Sequence, residues 1–117
     1  MAKDDYFVIV YKILSYLYQR LKDGETAQAV MLSYDGDLFK INERYWLYIL
    51  EHLQDGHYIE GLHFTKTWGG DVVVSGYEDC RITPEGIAYL MDNSMLQKVE
   101  RLLKDVKEII PARETIS

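Results

Sequence analysis

NERYWLYILEHLQDG, residues 42–56, runs without a break into HYIEGLHFTKTWGGDVVVSGYEDCRI, residues 57–82. The first stretch reads as a helix over 43–55. Asn42 is a good N-cap and Glu43 lies in the first turn, where negative charge is favourable. Trp46, Ile49, Leu50 and Leu53 fall at i, i+3, i+4 and i+7, so they share one inward face. Gly56 ends the helix, as a left-handed residue after the C-cap does. The second stretch reads as a hairpin over 57–82. Tyr58, Leu62 and Phe64 share a parity, Gly61 marks a bulge, and Trp68-Gly69-Gly70-Asp71 is a turn signal. Val72-Val73-Val74 forms a second strand core. Either 72–75 or 77–82, or both, pair with the first strand.

Working outward, the chain before this stretch reads as a helix over 4–22. Asp4 and Asp5 precede it and Gly24 stops it. Phe7, Val10, Leu14, Leu17 and Leu21 share a face that Ile9, Ile13 and Tyr16 widen. A stripe this broad marks a core helix. A short helix is expected over about 26–34, then a turn at Asp35-Gly36-Asp37. After the hairpin, Thr83 caps a helix over 84–92 with Pro84 at its first position. A last helix over 95–110 carries Met95, Val99, Leu102, Val106 and Ile109, and Pro111 closes it. The order is helix, short helix, helix, hairpin, helix, helix. A third helix feeding a hairpin is the winged form of the helix-turn-helix. The expected fold is therefore α+β: one winged helix-turn-helix domain over 1–117, with a β-hairpin wing and two additional C-terminal helices.

Composition bounds what such a domain does. The 117 residues fit one domain, and 48% hydrophobic content supports a core. The net charge of -6, from 13 basic and 19 acidic residues, opposes nonspecific binding to polyanions. Cys80 is the only cysteine, which excludes an internal disulfide and fits a reducing, cytoplasmic setting. Acidic residues precede the apolar run Tyr6–Tyr11, Lys12 interrupts it, and no window spans a membrane, so neither a signal peptide nor membrane association is expected.

The motifs also carry a resemblance. Ile41-Asn42-Glu43-Arg44-Tyr45-Trp46 through Leu53-Gln54-Asp55-Gly56-His57-Tyr58-Ile59-Glu60-Gly61 is one part of it. Ile82-Thr83-Pro84-Glu85-Gly86-Ile87-Ala88-Tyr89-Leu90, followed by Asn93-Ser94 and the amphipathic last helix, is the other. Over roughly residues 41–111 the chain resembles the YjcQ family of small bacterial and phage proteins, with a weaker match in the first helix. The resemblance implies a winged-helix fold, often carried by bacteria and their prophages. It brings no catalytic residues with it.

In a winged helix the third helix enters the major groove and the wing touches the backbone. The candidate nucleic-acid-binding residues are therefore Arg44, Tyr48 and His52, with Lys66 and Trp68 in the wing. Residues 42–60 hold Arg44 as their sole Lys or Arg, against Glu43, Glu51, Asp55 and Glu60. Any binding to double-stranded DNA is expected to be weak and salt-labile. Lys12, Arg20 and Lys22, or Lys98, Arg101, Lys104 and Lys107, add charge only if the fold gathers them. The leading expectation is a bacterial or prophage transcription regulator. The alternative is a protein-interaction module on the same scaffold, supported by the acidity and the 10 Tyr.

Other chemistries find little. His57 and His63 share a strand face only if Gly61 makes no bulge, and no metal motif accompanies them. Asp35 and Asp37 lack the oxygen ligand and glycine that a calcium loop needs next. Acidic neighbours disfavour a reactive Cys80 thiolate. No cofactor and no enzyme activity are expected. Trp68 at the wing tip is a wedge for a partner or a base; the reading preferred is that it folds back onto the hairpin. The last helix, with Leu96, Leu103 and Ile110 beside its stripe, packs on the first within one chain or makes a homodimer through the first and last helices.

Overall fold

The helix α1 (Tyr6–Lys22) is enclosed on nearly all sides. In the computed structural model, which describes residues 2–105, every residue from Val8 to Leu17 is buried. An amphipathic surface helix buries one stripe; here apolar side chains at every helical angle need neighbours all round. They find them in the strand β4 (Arg81–Ile82) and the helices α4 (Pro84–Asp92) and α5 (Ser94–Asp105). Even Lys12 is buried, its Nζ donating to the Leu38 carbonyl at 3.5 Å. Leu21 departs from the expected stripe and is half exposed. The helix closes in a Schellman pattern: Gly24 has φ +70, Glu25 N–H donates to the Arg20 carbonyl, and Gly24 N–H to that of Leu21.

The short helix α2 spans Ala29–Leu32, not 26–34. Its flanks are tied elsewhere. The Gln28 N–H donates to the Tyr16 hydroxyl at 3.0 Å, and Arg20 Nε donates to the Thr26 carbonyl. Residues 33–42 then turn tightly. A Cβ on Gly36 would lie 2.3 Å from the Val30 carbonyl oxygen, so only glycine fits there.

Helix α3 (Glu43–Asp55) follows the expected pattern. Asn42 Oδ1 accepts from the Arg44 N–H at 2.8 Å, and Trp46, Ile49, Leu50 and Leu53 are all buried. The Trp46 indole donates to the Leu32 carbonyl and ties α3 to α2. The C-terminus differs from expectation. Gly56 has φ -79; the left-handed residue is His57, at φ 64. Tyr58 N–H reaches the Leu53 carbonyl and His57 N–H that of Gln54, which is a Schellman motif with histidine at the position glycine usually takes. Gly56 is needed for another reason: a Cβ there would press on Tyr58 and the His52 carbonyl.

The ribbon has two ladders. At its base β1 (Ile59–Glu60) pairs antiparallel with β4 (Arg81–Ile82); beyond it β2 (His63–Lys66) pairs with β3 (Val72–Ser75). Both 72–75 and 81–82 thus pair, whereas Tyr77–Asp79 form a 3-10 turn. Between Glu60–Arg81 and His63–Ser75 one strand has residues 61–62 and the other 76–80. Gly61, at φ +100, lies against this excess, and a Cβ on it would fall 2.0 Å from the Asp79 carbonyl oxygen. The interruption strips Leu62 of a strand partner. Gln54 supplies one: its Nε2 donates to the Leu62 carbonyl at 2.8 Å and its Oε1 accepts from the Leu62 N–H at 2.9 Å.

Helix α4 (Pro84–Asp92) starts as read. Thr83 Oγ1 accepts from the Gly86 N–H and donates to the His57 carbonyl. Helix α5 (Ser94–Asp105) is capped by Asn93 Oδ1, which accepts from Met95 and Leu96. Its buried row is Leu96, Val99 and Leu103, with Met95 and Leu102 half-buried beside it. The expected row, Met95–Val99–Leu102, is rotated by about one residue, because the face that α5 seats on α1 is the one bearing Leu96, Val99 and Leu103. Val106, Ile109, Ile110 and Pro111 lie outside the described residues. The fold is α+β, with five helices and two small antiparallel ladders among the described residues. None of those helices is long and apolar enough to cross a membrane.

Two substitutions test the junction. Gln54→Leu strands both backbone groups of Leu62 and is expected to destabilise the fold by about 2 kcal/mol in urea unfolding. His57→Gly removes a left-handed L-residue with an exposed side chain. It is expected to stabilise by about 0.5 kcal/mol, the steric relief outweighing the added entropy of the unfolded chain. An unchanged urea midpoint for Gln54→Leu contradicts the first reading, and a lowered midpoint for His57→Gly contradicts the second.

Candidate nucleic-acid interface

Residues four apart on a helix are neighbours on its surface. Arg44, Tyr48 and His52 therefore form a row along the outer face of α3, and all three are exposed. The Tyr48 and His52 rings lie 4.1 Å apart at 32°. His52 Nδ1 is 2.8 Å from the Tyr48 carbonyl oxygen, which fixes the imidazole against the helix when that nitrogen is protonated. This half of the expected set is assembled.

The wing half is elsewhere. Helix α3 meets the ribbon at β1, its base. Lys66 ends β2 and Trp68 begins the tip loop, roughly 20 Å further along a strand. Trp68 is fully exposed, so the expectation that it folds back is overturned. The tip explains this. Thr67 N–H donates to the Asp71 carbonyl at 2.7 Å and Gly70 N–H to the Thr67 carbonyl at 3.0 Å, with Gly70 at φ +87. That is a three-residue hairpin loop with a glycine bulge. Its other two members, Gly69 and Gly70, offer an indole nothing to lie on.

The electrostatics of the surface are unfavourable to phosphate. From residue 42 to 82 the cations are Arg44, Lys66 and Arg81, against Glu43, Glu51, Asp55, Glu60, Asp71, Glu78 and Asp79. Arg81 is also engaged, 2.9 Å from the Glu60 carboxylate.

Sequence reading missed a cluster of phenols beside the α3 row. Tyr58 and Tyr89 stack with centroids 4.3 Å apart. The Tyr45 hydroxyl donates to the Asp4 carbonyl at 2.7 Å, which brings the start of the chain onto α3. Burial, and then repulsion from the phenols of Tyr89, Tyr48, Tyr58 and Tyr45, raises the Tyr6 pKa above its ordinary value. The 45/48 spacing put two of these on one helix face; Tyr6 and Tyr89 arrive from α1 and α4, which no local pattern indicates.

The remaining candidates resolve simply. Cys80 is buried, and burial pushes its thiol up to about 12, so it stays protonated and is no nucleophile at neutral pH. His57 caps α3 and His63 lies on β2 beyond the break at Gly61. No group of three or more His, Cys, Asp or Glu among the described residues is placed to hold a metal. A shallow groove of about 360 Å³ opens between α1, α4 and α5, lined by Tyr11, Tyr18, Lys22, Met91 and Arg101, away from the ribbon.

No curated protein and no solved structure matches the chain. Residues 11–109 match the family model described as YjcQ protein. That span runs from within α1 through both ladders and α5, and on it the chain belongs to the YjcQ family.

Proposed function

We propose that this YjcQ-family chain is a protein-interaction module on a winged-helix scaffold, with the ribbon tip as the element that enters its partner. The observation that carries the reading is Trp68: a fully exposed indole on a tight loop, borne by a helix-and-ribbon surface with three cations and seven carboxylates. An indole offers about 200 Å² to a partner. At about 25 cal/mol per Å² its burial contributes up to roughly 5 kcal/mol before ordering costs. Tryptophan is also enriched at the residues that dominate protein interfaces. Three dispersed cations, one of them already paired, release few counterions from a nucleic acid.

The winged-helix reading rests on α3 running directly into the ribbon and on the Trp46–Leu32 bond that sets α2 against α3. One feature is unusual for a helix-turn-helix: the link between α2 and α3 takes residues 33–42, where three or four residues are typical. Double-stranded DNA is the second reading, that of a bacterial or prophage regulator acting in the cytoplasm. The aligned row Arg44–Tyr48–His52 favours it. The acidic surroundings make such binding weak.

The test is affinity capture from the native host, with and without nuclease, using the wild-type chain and Trp68→Ala. A specific protein that survives nuclease and is lost with Trp68→Ala is expected, with the circular dichroism unchanged. Fluorescence anisotropy on labelled duplex is expected to show no binding tighter than about 10 μM at physiological salt. Tight duplex binding that Arg44→Ala abolishes, with capture lost on nuclease treatment, reverses the assignment in favour of DNA.

A further inference from the structure

The hydrogen-bond phase of the inner ladder shows which backbone groups face outward. Bonded and non-bonded pairs alternate along an antiparallel ladder. Thr67 and Asp71 are a bonded pair at the loop. Counting back through the observed register, Thr65–Val73 and His63–Ser75 are bonded, while Lys66–Val72 and Phe64–Val74 are not. The N–H and C=O groups of Val72 and Val74 therefore point away from β2. Among the described residues they meet no other backbone group.

The two edges of this ribbon are not alike. The β2 edge carries Lys66 and His63, and a charged residue on an edge is the usual guard against strand addition. The β3 edge presents Val72-Val73-Val74 with no charge and no proline. Val72 and Val74 are half-buried on the face where Phe64 and Val74 meet the core; Val73 is 50% exposed on the other face.

We propose that β3 is a self-association edge, through which two copies of the chain join in a four-stranded antiparallel sheet about a twofold axis at Val73. A second copy fits because the strand is complementary to itself in one register. With the axis at Val73, Val72 lies opposite the partner's Val74 and Val74 opposite the partner's Val72. Each pair exchanges two hydrogen bonds, so all four outward groups of the two valines on each strand are satisfied. Val73 faces the partner's Val73 in the close, non-bonded position, and its exposed side chain is covered. Asp71 lies opposite the partner's Ser75, so no carboxylate confronts another. Axes at Val72 or Val74 instead leave one valine against Gly70 or Gly76. The antiparallel arrangement sends the two Trp68 tips to opposite ends of the sheet. The dimer thus offers two contacts without covering either, and it forms whether or not the tip binds a protein. Short strands and a net charge of -6 on each copy make the association weak.

Sedimentation equilibrium from about 1 μM to about 1 mM tests it. The weight-average mass is expected to climb from one chain toward two. Val73→Lys sets like charges face to face and is expected to weaken association by at least about 10-fold, with circular dichroism unchanged. Val73→Cys is expected to give a disulfide-linked dimer under mild oxidation, since non-bonded antiparallel partners lie about 4.5 Å apart between Cα atoms. Buried Cys80 does not compete, and the wild-type chain is its control. Thr65→Cys, on the same face but the other strand, is expected to stay monomeric. A single-chain mass at every concentration overturns the proposal. So does a Val73→Lys chain that dimerises as well as wild type, or equal crosslinking of Thr65→Cys and Val73→Cys.

Discussion

The carboxamide of Gln54, gripping both backbone groups of Leu62, is the constraint on which the helix–ribbon junction depends. A helix that runs straight into a strand leaves backbone groups with neither helical nor sheet partners, and burying them unpaired costs about 1–3 kcal/mol each. Here the problem is sharper, because the ribbon is broken between its two ladders and Leu62 is buried at the break. A side-chain carboxamide can present an N–H and its C=O side by side, as the outward-facing groups of one strand residue do, so it substitutes for the missing strand. The rest of the junction follows the same logic. Thr83 donates to the His57 carbonyl while capping α4, and its own N–H donates to the Tyr58 carbonyl. Gly86 gives that backbone room: a Cβ there would lie 2.1 Å from the Tyr58 carbonyl oxygen. Residues 54–62 and 83–86 form one hydrogen-bonded unit, and it fixes α3, the ribbon and α4 relative to one another.

The parts of this architecture that are local in origin were legible in the sequence. Asn42 and Thr83 cap helices because a short polar side chain next to a helical period has one favourable use. The inward row of α3 follows from spacing alone, as does the enclosure of α1 from its unbroken apolar content. The differences have two sources, groups distant in sequence and local geometry that no periodicity shows. The hydroxyl of Tyr16 takes the Gln28 N–H and shortens α2. The left-handed turn after α3 falls at His57 because Tyr58 must return its N–H to Leu53, and glycine at 56 serves clearance instead. In α5 two apolar rows compete, and only its seating on α1 selects Leu96 and Leu103. Trp68 was misread because the general tendency of tryptophan to be buried presumes a surface within reach, and a loop completed by two glycines provides none.

The candidate site was legible in the same uneven way. Arg44, Tyr48 and His52 align because helical geometry makes them align. That Lys66 and Trp68 belong to a different part of the surface depends on where along the ribbon α3 touches it, and no periodicity encodes that. The phenol cluster depends on four elements meeting. Tyr6, Tyr45, Tyr58 and Tyr89 enter from α1, α3, the ribbon base and α4. The phenols beside α3 and the indole at the ribbon tip are thus two separate aromatic features of the surface.

The packing of α1 also bears on how two copies meet. A homodimer through the first and last helices needs an apolar face left over on one of them. Among the described residues the buried part of α1 packs against β4, α4 and α5, with Leu21 half exposed at its end, and the buried row of α5 faces α1 within the same chain. Using those faces between chains would mean opening the core. The ribbon has no such commitment. Its inner ladder was completed with two strands, and a two-stranded ladder satisfies only half of its own backbone groups. Lys66 guards one edge and nothing charged guards the other. Where a fold spends its helices on its own interior, its unfinished hydrogen bonding is the surface still open to a second copy.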